Sequence, residues 1–232
     1  MKESRDESLD LLIELAGPSA RDVVLDYAAG AGMAAFTLAP EVDTLEAAAD
    51  RPDMLEEGLR LASELGLENM AFTLVDLFSL PHPDDTFSLA MGCDVLHLSA
   101  NPVAALAELR RVTRDGGRVV IVDAVVDEAV DDAFNDLARL RQPAHRRHYR
   151  PEELESLAGE AGLRASRRGS VRCTVDLDYW LQTAGAPASK AALVRERFKA
   201  LPVAAQIGMD VAFSDRAISF SYDVCGLRLE RD

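Results

Sequence analysis

The sequence predicts an α/β protein built on a doubly wound, mostly parallel sheet with helices on both faces, a three-layer αβα arrangement. Three observations carry this. Residues 23 to 32 run an apolar strand into an acid, Asp26, and then into a small-residue turn that opens a helix. From there to about residue 125 short apolar strands alternate with helical segments, and strands joined through helices pair in parallel by right-handed crossovers. The chain has 232 residues, 48% of them hydrophobic, which is enough to bury one sizeable core. Residues 1–232 therefore read as a single domain, with a helical lead over 1–20 and two halves, 21–125 and 126–232.

Each element has a local cause. Leu9, Leu12, Ile13 and Ala16 recur at helical spacing and stop at Gly17-Pro18, which predicts an amphipathic helix. The first strand covers about 22 to 26, and a helix from near Gly32 to Ala39 is ended by Pro40. A second strand, Thr44 to Ala49, leads to Asp50-Arg51-Pro52-Asp53, where Asp50 is a candidate cap and Pro52 fits the first turn of a helix reaching Leu65, with Gly66 as its stop. Met70 to Val75 and Phe87 to Met91 are the third and fourth strands. A helix over Pro102 to Arg114 is followed by a turn at Asp115-Gly116-Gly117 and a fifth strand, Val119 to Val122. Beyond Asp123 the pattern changes: a charged helix to about Leu140, a basic loop over 141–150 and a helix after Pro151. Late strands lie near Val171 and over Ile218 to Tyr222, with helices around Tyr179-Trp180-Leu181 and over Ala191 to Leu201 between them.

Composition narrows the function. A formal charge of −15 repels polyphosphate and anionic lipid, so neither nucleic acid nor a membrane is an expected partner. The three cysteines, Cys93, Cys173 and Cys225, are odd in number and widely spaced, as free thiols in a reducing compartment are, and they offer no metal-ligand spacing. No metal site is expected. The N-terminal residues lack an apolar signal core and no run reaches the length of a membrane span, so the expected location is cytoplasmic.

In an open α/β sheet the ligand lies outside the carboxyl ends of the strands, which gathers Asp26, the turn from Ala28 to Gly32, Asp50, Asp76 and Cys93-Asp94 around one crevice. A carboxylate at the strand tip suits an ammonium or hydroxyl better than a pyrophosphate. Gly30-Ala31-Gly32-Met33-Ala34-Ala35 also fits the G-x-G-x-x-A form of a dinucleotide fingerprint with Asp50 near the ribose-acid distance, the alternative of a nicotinamide-dependent oxidoreductase. Against it, four residues from Asp26 to Ala29 separate the fingerprint from the strand end.

Taken together, Val24-Leu25-Asp26-x-Ala28-x-Gly30-x-Gly32, Asp50 to Leu55, Val75-Asp76, Leu80-Pro81 with Asp84-Asp85-x-Phe87, His97 and Gly116-Gly117 resemble class I S-adenosylmethionine-dependent methyltransferases, in particular small-molecule enzymes related to the ubiquinone and menaquinone C-methyltransferases. The resemblance is strong over residues 20 to 125; further on, Arg141-Gln142-Pro143-Ala144-His145 is similar to the Arg-Asp-Pro-Ser-His stretch of one bacterial subgroup. It implies a seven-stranded sheet of order 3-2-1-4-5-7-6 with strand 7 antiparallel, S-adenosyl-L-methionine as cofactor, and methylation of a small molecule at O, N or C, in a chain that could form a homodimer. It also implies roles. Asp26 would act near the cofactor's ammonium, backbone at Ala28, Gly30 and Gly32 would pass the methionine and ribose, Asp76 and Leu77 would meet the adenine, and Met54 would pack on it; Cys93 borders the same crevice.

Departures from the family pattern keep open a protein of this fold with lost or altered cofactor use, acting in binding or assembly. Ala28 replaces a usual Gly, Ala49 rather than Asp50 aligns with the usual ribose acid, and Ser88 replaces a frequent Asp. Methyl transfer asks mainly for alignment and exclusion of water, with a base added for an oxygen or carbon acid. His97, His145 and Asp94 are the candidates for that base, and the arginines at 139, 141, 146, 147 and 150 either bind an acidic substrate or pair with Asp131, Asp132 and Asp136.

Overall fold

The computed structural model describes residues 7–28, 32–184, 186–214 and 217–231. Strands β1 (Val23–Tyr27), β2 (Thr44–Ala49), β3 (Met70–Leu74), β4 (Phe87–Cys93), β5 (Thr113–Val125), β6 (Leu163–Asp176) and β8 (Ile218–Arg231) form one sheet in the order β3-β2-β1-β4-β5-β8-β6, and the two-residue β7 (Ala212–Phe213) pairs with β8 beside this path. β8 runs antiparallel to β5, β6 and β7 while the ladders among β1 to β5 are parallel. This is the expected order, with β8 as the seventh strand.

Side-chain alternation splits β1 between two cores. Val24 joins the cluster beneath helices α1 (Glu7–Ala16) and α2 (Met33–Leu38), and Leu25 and Tyr27 join the opposite one beneath α4 (Pro102–Val112) and α6 (Pro151–Glu160). A third core lies over one end of β8. It packs Phe134 and Leu137 of α5 (Asp131–Arg141), Trp180 of α7 (Leu177–Thr183), Phe198 of α8 (Ala188–Lys199) and Ala205 of α9 (Val203–Gly208) around Phe220.

Several boundaries differ from the sequence reading for identifiable reasons. Helix α3 (Pro52–Leu65) starts at Pro52 and ends at Gly66 with φ 67° as expected, but its cap position is Arg51 without a side-chain bond, so Asp50 does not cap it. The turn around Gly116 sits inside β5 as a bulge: Thr113 pairs with Phe87 and Arg118 with Leu89, and residues 114–117 loop out between them. β8 runs well beyond Tyr222 because Val224 on one face and Leu227 and Leu229 on the other keep both faces apolar past the interruptions at Asp223 and Arg228. Helix α1 buries Leu11, Leu12 and Leu15, with Leu9 and Ile13 at the margin. Gly169 and Gly226, register partners in β6 and β8, explain that phase: a Cβ on either would stand 2.5 or 2.4 Å from Leu11 or Leu15, so the glycine pair is a groove for those two side chains.

The amino ends of the central strands are tied by one buried network. Arg118 of β5 donates to both oxygens of Asp22 at 3.0 and 2.7 Å and to the carbonyl oxygens of Ala16 and Gly17 at the end of α1. Ser88 of β4 donates to Asp22 at 2.6 Å and accepts from the Val23 N–H at 3.0 Å. Burial opposes the Asp22 charge, yet Arg118, Ser88 and Ser19 hold its carboxyl well below the ordinary range. An Asp at 88 would set a second carboxylate against the first, so Ser88 fits a chain whose acid stands at 22. Asp22→Asn leaves a desolvated guanidinium without its counter-charge and is expected to lower stability by about 3 to 5 kcal/mol at pH 7. Urea titrations at several pH values check this: a depressed carboxyl stabilises above its unfolded pKa, so the gap between variant and wild type narrows as pH falls below the ordinary carboxylate range.

Candidate active site

At the carboxyl end of β1, Asp26 is 2% exposed and its Oδ2 has no hydrogen-bond partner among the described residues. Burial pushes its carboxyl up to about 7, opposed only by the N–H of Ala35 at the start of α2. Two residues on, Ala28 takes φ 58°, the left-handed conformation its methyl group disfavours, at the position where the resemblance expects a glycine. Gly30 lies outside the described residues. Gly32 has φ 90°, and a Cβ there would also press within 3.4 Å of the Phe36 and Phe72 rings.

The other side of the strand ends is organised by Tyr27. Its buried hydroxyl donates to the Leu77 carbonyl at 2.8 Å, fastening the loop after β3 to β1. Burial raises the phenol pKa, and the charges of Glu108, Asp50 and Asp76 add to it, which sets Asp50 and Asp76 around the same ring. Ala49 is buried opposite Leu74, whereas Asp50 is exposed one residue on. Asp76 accepts the Phe78 N–H at 2.9 Å and so also shapes its own turn. Met54 is half-buried in the first turn of α3, and Cys93, half-buried, ends β4.

A cavity of about 320 Å³ opens beyond β4 and β5. Asp94, exposed at φ 56°, and His97 line one wall; Arg141, His148, Trp180 and Tyr222 line others. His97 sits in a 3-10 turn, Leu96–Leu98, and is oriented by Asp123 of β5. One Asp123 oxygen accepts the Leu96 N–H and the other meets His97 Nδ1, both at 2.7 Å. Burial opposes a charge on His97, but Asp123 and then Asp94 outweigh it and raise the imidazole pKa. With Nδ1–H held by Asp123, Nε2 is left as the accepting atom. His97, Asp123 and His148 bring ligand-type atoms within 4.8 Å of one another, yet both Asp123 oxygens are already engaged, so the group reads as a carboxylate–imidazole dyad.

His145 stands one layer back. It does not line the cavity; its Nε2 bonds Asn135 at 2.9 Å, its ring lies 4.5 Å from that of His148, and burial followed by the His97 charge pulls its pKa down to about 4. His148 takes the place at the wall, stacked on Phe134 and held far below the usual imidazole range by burial and its two histidine neighbours. The basic stretch divides. Arg139 pairs with Asp136, and Arg147 and Arg150 with Asp131, whereas Arg141 turns into the cavity wall. His82, a surface-loop residue by its flanking prolines, is in fact half-buried and bonds Glu46 at 2.8 Å. Sequence reasoning missed Asp123, Asn135 and His148. Asp123 carried a signal, a lone acid directly after an apolar strand, while His148 sits in an irregular loop without periodicity to set its direction.

The comparisons with known proteins bear on the fold and the family. Residues 18–168 match a family model described as a methyltransferase domain. The chain is 31% identical to YcgJ of Bacillus subtilis, an uncharacterized methyltransferase, over 79% of its length and 74% of that protein. The crystal structure of YcgJ superposes with TM-score 0.88 at 26% identity, covering 98% of this chain and all of the other. Methyltransferase GfsG of Streptomyces halstedii is 31% identical over 70% of this chain and 60% of its own length. The ubiquinone/menaquinone biosynthesis C-methyltransferase UbiE of Bdellovibrio bacteriovorus is 33% identical over 48% of each. Among the described residues no helix is long and apolar enough to cross a membrane. The chain thus belongs to the class I S-adenosylmethionine-dependent methyltransferases.

Proposed function

We propose that this enzyme methylates an oxygen, nitrogen or carbon atom of a small organic molecule seated in the cavity beside His97, with S-adenosyl-L-methionine as donor. The observation that carries the reading is the buried Asp26 oxygen without a partner at the tip of β1, a few residues from the turn that the family uses for this cofactor. A desolvated carboxylate with an open acceptor is the chemistry an ammonium group meets. Asp26 would hold the cofactor's amino-acid end, Asp50 its ribose hydroxyls, and Asp76, Leu77 and Met54 its adenine. When bound, the cofactor supplies an activated methyl group on a sulfonium.

The chain's own contribution is positioning, exclusion of water and one proton. For an oxygen or carbon acid, His97 Nε2 would take the proton that the acceptor atom gives up on methylation. Asp123 stabilises the imidazolium that results and fixes the ring that receives the proton. Asp94 at the cavity mouth, His145 behind the wall and Cys93 at the end of β4 frame this centre.

Two measurements test the reading. An ammonium pairs with ionised Asp26 only, and this carboxyl sits at about 7 in the free protein, so S-adenosylhomocysteine should bind up to tenfold more weakly for each pH unit below 7 and level off above it. Asp26→Asn should weaken calorimetric binding by about 10- to 100-fold at pH 7.5 and remove the slope. The free wild-type protein, whose raised carboxyl favours the protonated form, should lose stability as pH rises from the ordinary carboxylate range toward 7 and level off above it, and the variant should not show this slope. A flat wild-type profile with unchanged affinity in the variant would sink the role of Asp26. Separately, the His97 imidazole followed by NMR should titrate above the ordinary histidine value and drop in Asp123→Asn; an unmoved titration would remove Asp123 from the proton step.

A further inference from the structure

We propose that the molecule bound in this cavity carries a single carboxylate on a flat, unsaturated frame, and that Arg141 is the residue that selects it. The inference rests on the reading of the cavity as the acceptor site. Arg141 is the last residue of α5; its Nε donates to the Trp180 carbonyl at 2.7 Å and its Nη2 to Thr183 Oγ1 at 2.9 Å. The guanidinium carbon lies 4.4 Å over the Trp180 ring. Nη1 makes no hydrogen bond to a described residue, and no carboxylate among the described residues comes within ion-pair distance of the group.

That absence is informative in this chain. It holds 40 acidic residues against 25 lysines and arginines, and neighbouring Arg139, Arg147 and Arg150 each have a carboxylate partner. Burial lowers the Arg141 pKa, but a guanidinium stays charged in a protein, so a desolvated cation is held open toward a cavity by two hydrogen bonds and a stacked ring. The fork that remains matches a carboxylate. Phe134, Trp180 and Tyr222 give the cavity flat apolar walls, and about 320 Å³ is the low end for a drug-sized ligand. Asp94 at the mouth disfavours a second negative charge. A molecule anchored on Arg141 would then present its remaining atoms to His97 across the same cavity.

Trp180 is the single tryptophan in the chain and reports on this wall directly. Protein with and without S-adenosylhomocysteine is titrated with benzoate and cinnamate, their neutral amides, and phenyl phosphate, following Trp180 fluorescence. The carboxylates should bind at least tenfold more tightly than their amides, and phenyl phosphate more weakly than benzoate. Arg141→Gln should bring the carboxylates down to the affinity of the amides, and Arg141→Lys should recover only part, with S-adenosylhomocysteine binding within twofold of wild type in both. Equal binding of acid and amide by wild type, no saturable response to either acid, or tighter binding of phenyl phosphate overturns the proposal, and none of these arms needs a variant that folds. Acid selectivity without S-adenosylhomocysteine binding would defeat the cofactor reading alone; the reverse would defeat this one alone.

Discussion

A carboxylate buried at the end of a β-strand must be neutralised, hydrogen-bonded or left for a ligand, and the centre of this sheet contains all three solutions. Asp22 leads into β1 at its amino end and is matched by Arg118, Ser88 and Ser19. Asp123, near the carboxyl end of β5, is matched by the Leu96 N–H and His97. Asp26, at the carboxyl end of β1, keeps an oxygen without a partner. The first is structural and closes the sheet at the end away from the cavity. The second converts a buried charge into a positioned imidazole. The third, among the described residues, is a desolvated carboxylate with an open acceptor, an unfavourable group in the fold on its own.

The strand that joins these ends to the cavity is β8. Its first residues pair with β7 and β6 over the third core, and Val224 to Leu229 pair with β5 alongside the strand that bears Asp123. Phe220 and Tyr222 therefore belong both to the sheet and to the cluster of Phe134 and Trp180. Repacking in α7 or α8 reaches the cavity wall through these rings, whereas the amino-end network of Asp22 lies on the opposite edge of the strands.

The fold was legible because its signals are local. Pro52 and Gly66 bracket α3, six residues of small and apolar character make β2, and the strand and helix alternation fixes the parallel half. In helix α1 the sequence reading placed Leu9, Leu12, Ile13 and Ala16 inward; Leu12 and Ala16 are buried, Leu9 and Ile13 sit at the margin, and Leu11 and Leu15 fill the groove at Gly169 and Gly226, more than 150 residues away and so invisible to local spacing. The same distance hides the site's partners. Asp94, His97 and Arg141 were visible as chemistry-bearing residues and do line one cavity, but the Asp123 contact and the exchange of His145 for His148 at the wall arise from tertiary packing of an irregular loop, whose N–H groups at 146 and 147 are tied to the His97 carbonyl.

The departures from the family pattern also gain physical meaning once they are seen as exchanges between neighbours. At 88, where the resemblance expects an acid, Ser88 fits this chain: Asp22 already supplies the charge that meets Arg118, and a second carboxylate there would compete for one guanidinium. Ala28 accepts φ 58°, a local cost of about 1 kcal/mol or more that persists only because the flanking Tyr27 is bolted to Leu77 and Asp26 is packed against the start of α2. Ala49 is closed off in the sheet while Asp50, the next residue, brings its charge near Tyr27 on the open side. In each case the departing residue has a neighbour that answers for its charge or its conformation: Asp22 beside Ser88, Tyr27 beside Ala28 and Asp50 beside Ala49.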